Sequence, residues 1–513
     1  MRSHTAAITA IFILCFSGSV WAQPQPRDVT DKFYPDPPVT FTTPTLSLDE
    51  DRFATYDEIL DWLNELGMDP CMQVSFIGTT TLGRKVPLIT FSSGKDPKKV
   101  KVWLQGAIHG NEPAGSEALF ALMQYLLKDS DGRKLLDRME IAILPVANID
   151  GYLSDQRVSG DGFDLNRDQT KFADPQSVLI KRAFIEWNPD VAADFHEFKP
   201  IRAETANMGT DGGAIFYDVL FLPTRHPNVP KILQEASDAY FRRPAEKTLD
   251  EAGYTHFTYF TIGERAGEMA LTLGARSPQS SSTSYALSNA ISFFVEIRGI
   301  GFGRHSLVRR TNSAFIIQKT MLRQVYDHQV AIKKIVSSAI RETVGAKEPV
   351  VVQFHSNPSR IPVTFLDLTR NETIDYPAML AYDAADFTVD LVRRRPKAYV
   401  IEPSETRAIE NLRTFGVKMT VLKRPKTLRV ESYSVSFCEE ADKSWEKIRK
   451  LDVLTETFAQ KIRFEKGTVI VKAAQENANF VVSVLEPEAE NGFVAFRVIE
   501  ASRGAVLPVH RFF

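Results

Sequence analysis

Two short apolar stretches of this chain each run into a histidine, and that pairing narrows the fold more than any other feature. Val102-Trp103-Leu104-Gln105-Gly106-Ala107-Ile108 ends at His109, and Asp190-Val191-Ala192-Ala193 leads through Asp194-Phe195 to His196. Apolar runs followed by helical patterns, such as Ser116 to Lys128, predict a mostly parallel mixed sheet with helices on both faces, an α/β fold. Open sheets of this kind keep their ligands at the carboxyl ends of the strands, where both histidines fall. Glu112 stands three residues after His109 and shares its face in a first helical turn. Pro113 suits that turn, because its missing N–H is no loss there. One His-x-x-Glu among nine histidines and 64 acidic residues means little alone. With His196 it becomes a set of three ligands and an open fourth position, the pattern of a catalytic zinc. A structural zinc needs four protein ligands, usually several of them thiolates, and only three cysteines are present.

The order His109–Glu112, Asn148-Ile149-Asp150-Gly151, Asp164-Leu165-Asn166-Arg167, Asp194-Phe195-His196 resembles the zinc metallocarboxypeptidases of the carboxypeptidase A and B type, over about residues 50–340. The tail segments Ala398-Tyr399-Val400-Ile401-Glu402-Pro403 and Val484-Leu485-Glu486-Pro487-Glu488 resemble those appended to some secreted bacterial members. The resemblance implies one Zn2+ per chain on His109, Glu112 and His196. It implies Glu296, inside the apolar run Ile291 to Ile297, as general acid/base. A buried glutamate without a task is expensive; the plainer reading is an edge-strand acid facing solvent. Asn166 and Arg167 are expected to clamp the free C-terminal carboxylate of a peptide substrate, since a guanidinium fork matches a carboxylate. Arg157 is expected to support the oxyanion, its alternative being an exposed loop arginine. Tyr285 is expected to cap the substrate from a mobile loop, with Tyr254 and Tyr259 competing for the role. Asn111 and Glu197 depart from the pancreatic pattern and leave the substrate-side subsites open.

Three rival readings remain. A zinc deacylase of the aspartoacylase or succinylglutamate desuccinylase type shares the His-Gly-Asn-Glu and Asn-Arg elements. A non-catalytic binding protein would lack the base or the clamp, and both are present. A peptidoglycan stem peptide is an alternative substrate.

A length of 513 residues calls for more than one core. A net charge of −2 with mixed signs suggests neither nucleic acid nor an anionic membrane as partner. Residues 1–22 read as a signal peptide, with Arg2, an apolar stretch and Val20-Trp21-Ala22. No membrane insertion is expected after its cleavage, and the mature protein should be secreted or periplasmic. Residues 23–48 read as an extended Pro-rich arm, 49–344 as the catalytic domain and 345–513 as a β-rich accessory domain. One long helix is expected over Phe315 to Thr343. Tail strands are expected at Val350 to Phe354, Ile361 to Leu366, Lys397 to Ile401, Thr468 to Ala474, Phe480 to Leu485 and Gly492 to Val498. Cys71 and Cys438 could pair in an oxidising compartment, although sequence cannot fix the connectivity. His355 and His510 lack partners at ligand spacing and read as surface or packing residues.

Overall fold

The computed structural model describes residues 25–206, 208–210 and 212–513. The signal peptide read at 1–22 lies outside the described residues. Among them, no helix is long and apolar enough to cross a membrane.

The central sheet has eight strands. They are β1 (Met72–Thr79), β2 (Lys85–Phe91), β3 (Val100–Gly106), β4 (Met139–Leu144), β5 (Val191–Phe198), β6 (Val219–Phe221), β7 (His256–Thr258) and β8 (Ile291–Arg298). Their order is β1-β2-β4-β3-β5-β8-β6-β7. The middle run β4-β3-β5-β8 is parallel throughout, and β1-β2, β2-β4 and β8-β6 are antiparallel. Every position of β5 and β8 is buried, so both faces are covered. The chain leaves β3 for β4 on one side and returns to β5 on the other. That reversal opens a crevice at the carboxyl ends of β3 and β5.

Helices form where the sequence marks them. Tyr56–Leu66 starts on a capping box, Thr55 accepting from the Glu58 N–H and Glu58 from the Thr55 N–H, and buries Ile59 and Leu63. Pro113–Lys128 and Pro175–Trp187 both open on proline. The helix expected over Phe315 to Thr343 is two, Leu307–Asp327 and Gln329–Gly345. The break falls at His328, whose ring packs on Tyr240, and no Gly or Pro announces it. The N-terminal arm carries a short helix, Arg27–Phe33, and is tied down, Thr43 and Thr45 both bonding the buried Glu117 carboxylate.

The tail has two parts. The hairpin Val350–Asp367 and Glu372–Arg393 joins Gly213–Ile215, Phe260–Arg265 and Glu268–Leu273 in a five-stranded sheet. Strands from both sides of residue 345 therefore share one ladder. The remainder, 398–512, forms a six-stranded sheet that includes Lys426–Glu440 and Leu451–Phe464. Two expected strands are corrected here. Phe480 to Leu485 lies in the helix Ala478–Leu485, buried at every position, where a short run broken only by Ser483 is too brief for its period to distinguish helix from strand. Gly492 to Val498 is a series of turns. Cys71 and Cys438 are unpaired thiols.

Candidate active site

His109 lies in the loop between β3 and Pro113–Lys128, and Glu112 is that helix's N-cap. Gly110 lets the loop rest on the short helix Ile149–Leu153: a Cβ there would stand 1.9 Å from the Gly151 carbonyl carbon. Asn148 caps that helix by accepting from the Gly151 N–H at 3.0 Å, which explains the Asn148–Gly151 element. His196 is on β5, and Glu296 is its direct register partner on β8.

The three proposed ligands converge. His109 Nδ1 is 2.7 Å from Glu112 Oε1, His196 Nδ1 is 2.9 Å from Glu112 Oε2, and the two Nδ1 atoms are 3.1 Å apart. All three side chains are buried. Zinc at 2.0–2.1 Å from tetrahedral ligands sets their atoms roughly 3.3 Å apart, close to this spacing. Both imidazole nitrogens and the carboxylate turn lone pairs toward one point, so the donor set fits one zinc ion. The far nitrogens also face carboxylates. His109 Nε2 lies 3.2 Å from Asp164, and His196 Nε2 lies 3.0 Å from Asp194. Such carboxylates fix ring orientation and raise ligand basicity. Asp194 is itself held by the Ser281 hydroxyl at 2.6 Å and Gln105 at 3.1 Å. The sequence carried a signal for Asp194: two residues before His196 on a strand, it shares that histidine's face.

Electrostatics follow the packing. Burial works to raise the Glu112 carboxyl, yet His109 and His196 overcome it and hold it low. Asp164 is likewise held well below the usual carboxylate range against burial, by His109 and Arg157. Glu296 goes the other way, pushed up to about 8 chiefly by burial, with Glu112 adding and His196, Arg157 and Arg202 opposing. Glu197, following His196, binds Arg310 through both oxygens at 2.8 and 3.0 Å and accepts from the Ala114 N–H at 3.1 Å. Its role is to anchor the ligand helix.

A cavity of about 830 Å³ opens over these groups, and Arg157, Asn166, Arg167 and Glu296 all line it. Arg157 donates to Asp164 at 2.9 Å and sits 3.2 Å from His109 Nδ1. The Asn166 carbonyl accepts from the Ser281 N–H at 2.7 Å, which leaves its amide N–H groups for a ligand. Arg167 donates from Nη1 to the Asn166 backbone carbonyl at 3.0 Å. Tyr285 requires correction. It is 2% exposed on the helix Ser281–Leu287, stacked on Phe184 with ring centroids 4.5 Å apart, and does not line the cavity. A ring locked into the core cannot cap a substrate. Tyr259 does line the cavity, close enough to Glu296 for that charge to raise its hydroxyl pKa after burial. Walls also come from Gln353, Phe354, Glu490 and Asn491, tail residues that no motif marked.

The family described as Zinc carboxypeptidase matches residues 59–199. Carboxypeptidase 2 of Trichophyton equinum is 31% identical over 438 residues, 84% of this chain and 80% of that protein. Carboxypeptidase 2 of Trichophyton rubrum is similar to the same extent, 31% over 438 residues. Among solved structures, a metallo-carboxypeptidase from Burkholderia cenocepacia is similar over 53% of this chain and 69% of that one, at 18% identity and a TM-score of 0.40.

Proposed function

Because the chain belongs to the zinc carboxypeptidase family, and is thus a zinc-dependent peptide hydrolase, we propose that it removes residues one at a time from free peptide C-termini. One observation carries this reading: His109, Glu112 and His196 converge beside Glu296, and Asn166, Arg167 and Arg157 line the same cavity. Zinc, when bound, supplies a Lewis acid that polarises a carbonyl and acidifies water. Glu296 takes a proton from the attacking water on its carboxylate and returns it to the leaving amine. Arg157 offers its Nη1 to the oxygen on which negative charge develops. Arg167 and the Asn166 amide would hold the terminal carboxylate and so set which peptide bond reaches Glu296. Tyr259 takes the covering position read earlier for Tyr285.

We further propose an exported enzyme, secreted or periplasmic, with a catalytic region at 49–344 and an accessory tail at 345–513. The two Carboxypeptidase 2 relatives named above are from Trichophyton, and the bacterial-type assignment rests on the tail segments.

The clamp is tested with paired peptides. C-terminal amidation should make a peptide a very poor substrate, whereas N-terminal acetylation should matter little. Leaving the half-buried Arg167 guanidinium without its partner costs at most roughly 2–5 kcal/mol, the figure for a fully buried pair. Arg167→Ala should lose most of the preference for the free acid. Equal cleavage of free and amidated peptides by the parent enzyme would count against an exopeptidase.

A further inference from the structure

Between the tail strands Lys426–Glu440 and Leu451–Phe464 lies a smaller turn whose tip is Glu446-Lys447. Trp445 and Ile448 exchange both backbone hydrogen bonds, at 2.8 and 3.0 Å, so only two residues make the turn. Both have positive φ, 50° and 64°. Turns of this shape favour Asn-Gly, and longer side chains are strained in them. Strain retained in a surface turn points to a task.

The task lies across the boundary between tail and catalytic region. Glu446 Oε2 accepts from the Asp164 backbone N–H at 3.2 Å. Lys447 Nζ donates to the Asp161 carbonyl at 2.7 Å and lies 4.2 Å from the centre of the Phe163 ring. Two neighbouring side chains thus bracket the segment 161–164. Asp164 is the carboxylate that holds His109 Nε2 on one side and Arg157 on the other. Its Oδ1 also accepts from the Asn166 N–H at 2.9 Å. A small shift of its backbone moves a zinc ligand, the oxyanion arginine and the carboxylate clamp together.

We propose that Glu446 is a positioning residue of the active site, fixing Asp164 from the tail while Lys447 pins the other end of the same loop. The inference rests on the zinc carboxypeptidase reading. In that reading the tail completes the catalytic constellation as well as walling it.

The test uses the full-length, zinc-loaded chain and the variants Glu446→Ala, Glu446→Gln and Glu446→Asn/Lys447→Gly. Zinc release into a chelator, melting temperature, and kcat and KM on a free-acid peptide are measured for each. Loss of an outer-shell partner typically costs 10–100-fold in metal affinity or activity. Glu446 acts one bond further out, so Glu446→Ala should release zinc about tenfold faster and lose about tenfold in kcat, with KM nearly unchanged. Glu446→Gln keeps an acceptor oxygen at the same reach and should stay close to the parent. The double variant separates positioning from stapling. Asn-Gly relaxes the turn, so the melting temperature should rise while zinc release quickens and kcat falls. Parental zinc release in Glu446→Ala overturns the proposal. So does a double variant in which stability and kcat fall together. Zinc release needs no substrate, so it remains readable even if the parent fails to hydrolyse peptides.

Discussion

Glu296, proposed above as the general acid/base, shows how neighbours tune one residue. On β8 it sits in a run of apolar residues, register-paired with His196, and burial raises its proton affinity toward the working range of a general base. Glu296→Gln should keep its zinc, since the amide leaves the three ligands in place. Turnover should fall by about 10²–10⁴, the usual contribution of a positioned base. Metal content by elemental analysis and single-turnover hydrolysis check the two halves. Near-parental turnover would move the role to another carboxylate. The metal ligands were legible in sequence, because His109 and His196 follow apolar runs and Glu112 precedes a helix-opening proline, and Glu296 is conspicuous inside its apolar run. The capping tyrosine was not. Sequence favours Tyr285 over Tyr254 and Tyr259, and only packing buries Tyr285 and leaves Tyr259 on the cavity.

Elements were legible where their period was clear. The helices Tyr56–Leu66, Pro113–Lys128 and Pro175–Trp187 carry caps or an opening proline, and β3, β4, β5 and β8 are apolar runs of strand length. The helix Ala478–Leu485 is buried at every position, with only Asn479 and Ser483 polar, and so short a run reads equally well as a buried strand. One helix pair hides a group with a thermodynamic consequence. Lys181, on Pro175–Trp187, is fully buried, donating to Ser284 Oγ on Ser281–Leu287 at 2.6 Å amid Phe184, Tyr285 and Phe415. Burial pushes its pKa from the ordinary 10.5 down to about 7. Between those values the unfolded chain binds a proton that the folded chain does not, so stability rises with pH across that window. Below about 7 the cost is fully present. Relative to Lys181→Met, the parent should gain up to about 1.4 kcal/mol per pH unit between neutral and alkaline conditions. Denaturant titrations at several pH values measure this, and a difference that stays flat with pH would exclude titration of Lys181.

On the scale of the molecule, the boundary drawn at 344/345 is crossed by packing. One buried apolar cluster runs from Val102 and Leu104 in the central sheet to Tyr399, Phe415 and Phe480 in the tail. Asn411 of the tail also donates to the Lys171 carbonyl at 2.8 Å. Chains of this length usually unfold domain by domain. Here a single calorimetric transition is expected, with Trp103 in the core and Trp445 beside the turn at 446–447 reporting the same midpoint. Two resolved transitions would show that the tail is an independent unit. The sequence could not reveal this coupling, because Phe260–Leu273 and Val350–Arg393 are far apart along the chain and only pairing brings them into one sheet.

That shared sheet bears on heredity. A domain joined to its neighbour by a linker can be cut out of one gene and pasted into another. A recombination junction at residue 345 would leave Glu268–Leu273 without its parallel partner in the recipient and strand an unpaired hairpin in the donor. The match to the Trichophyton equinum protein covers 84% of the chain, so wherever it starts it runs through Val350–Arg393. A tail that lends its strands to the catalytic half is passed on with that half as one unit.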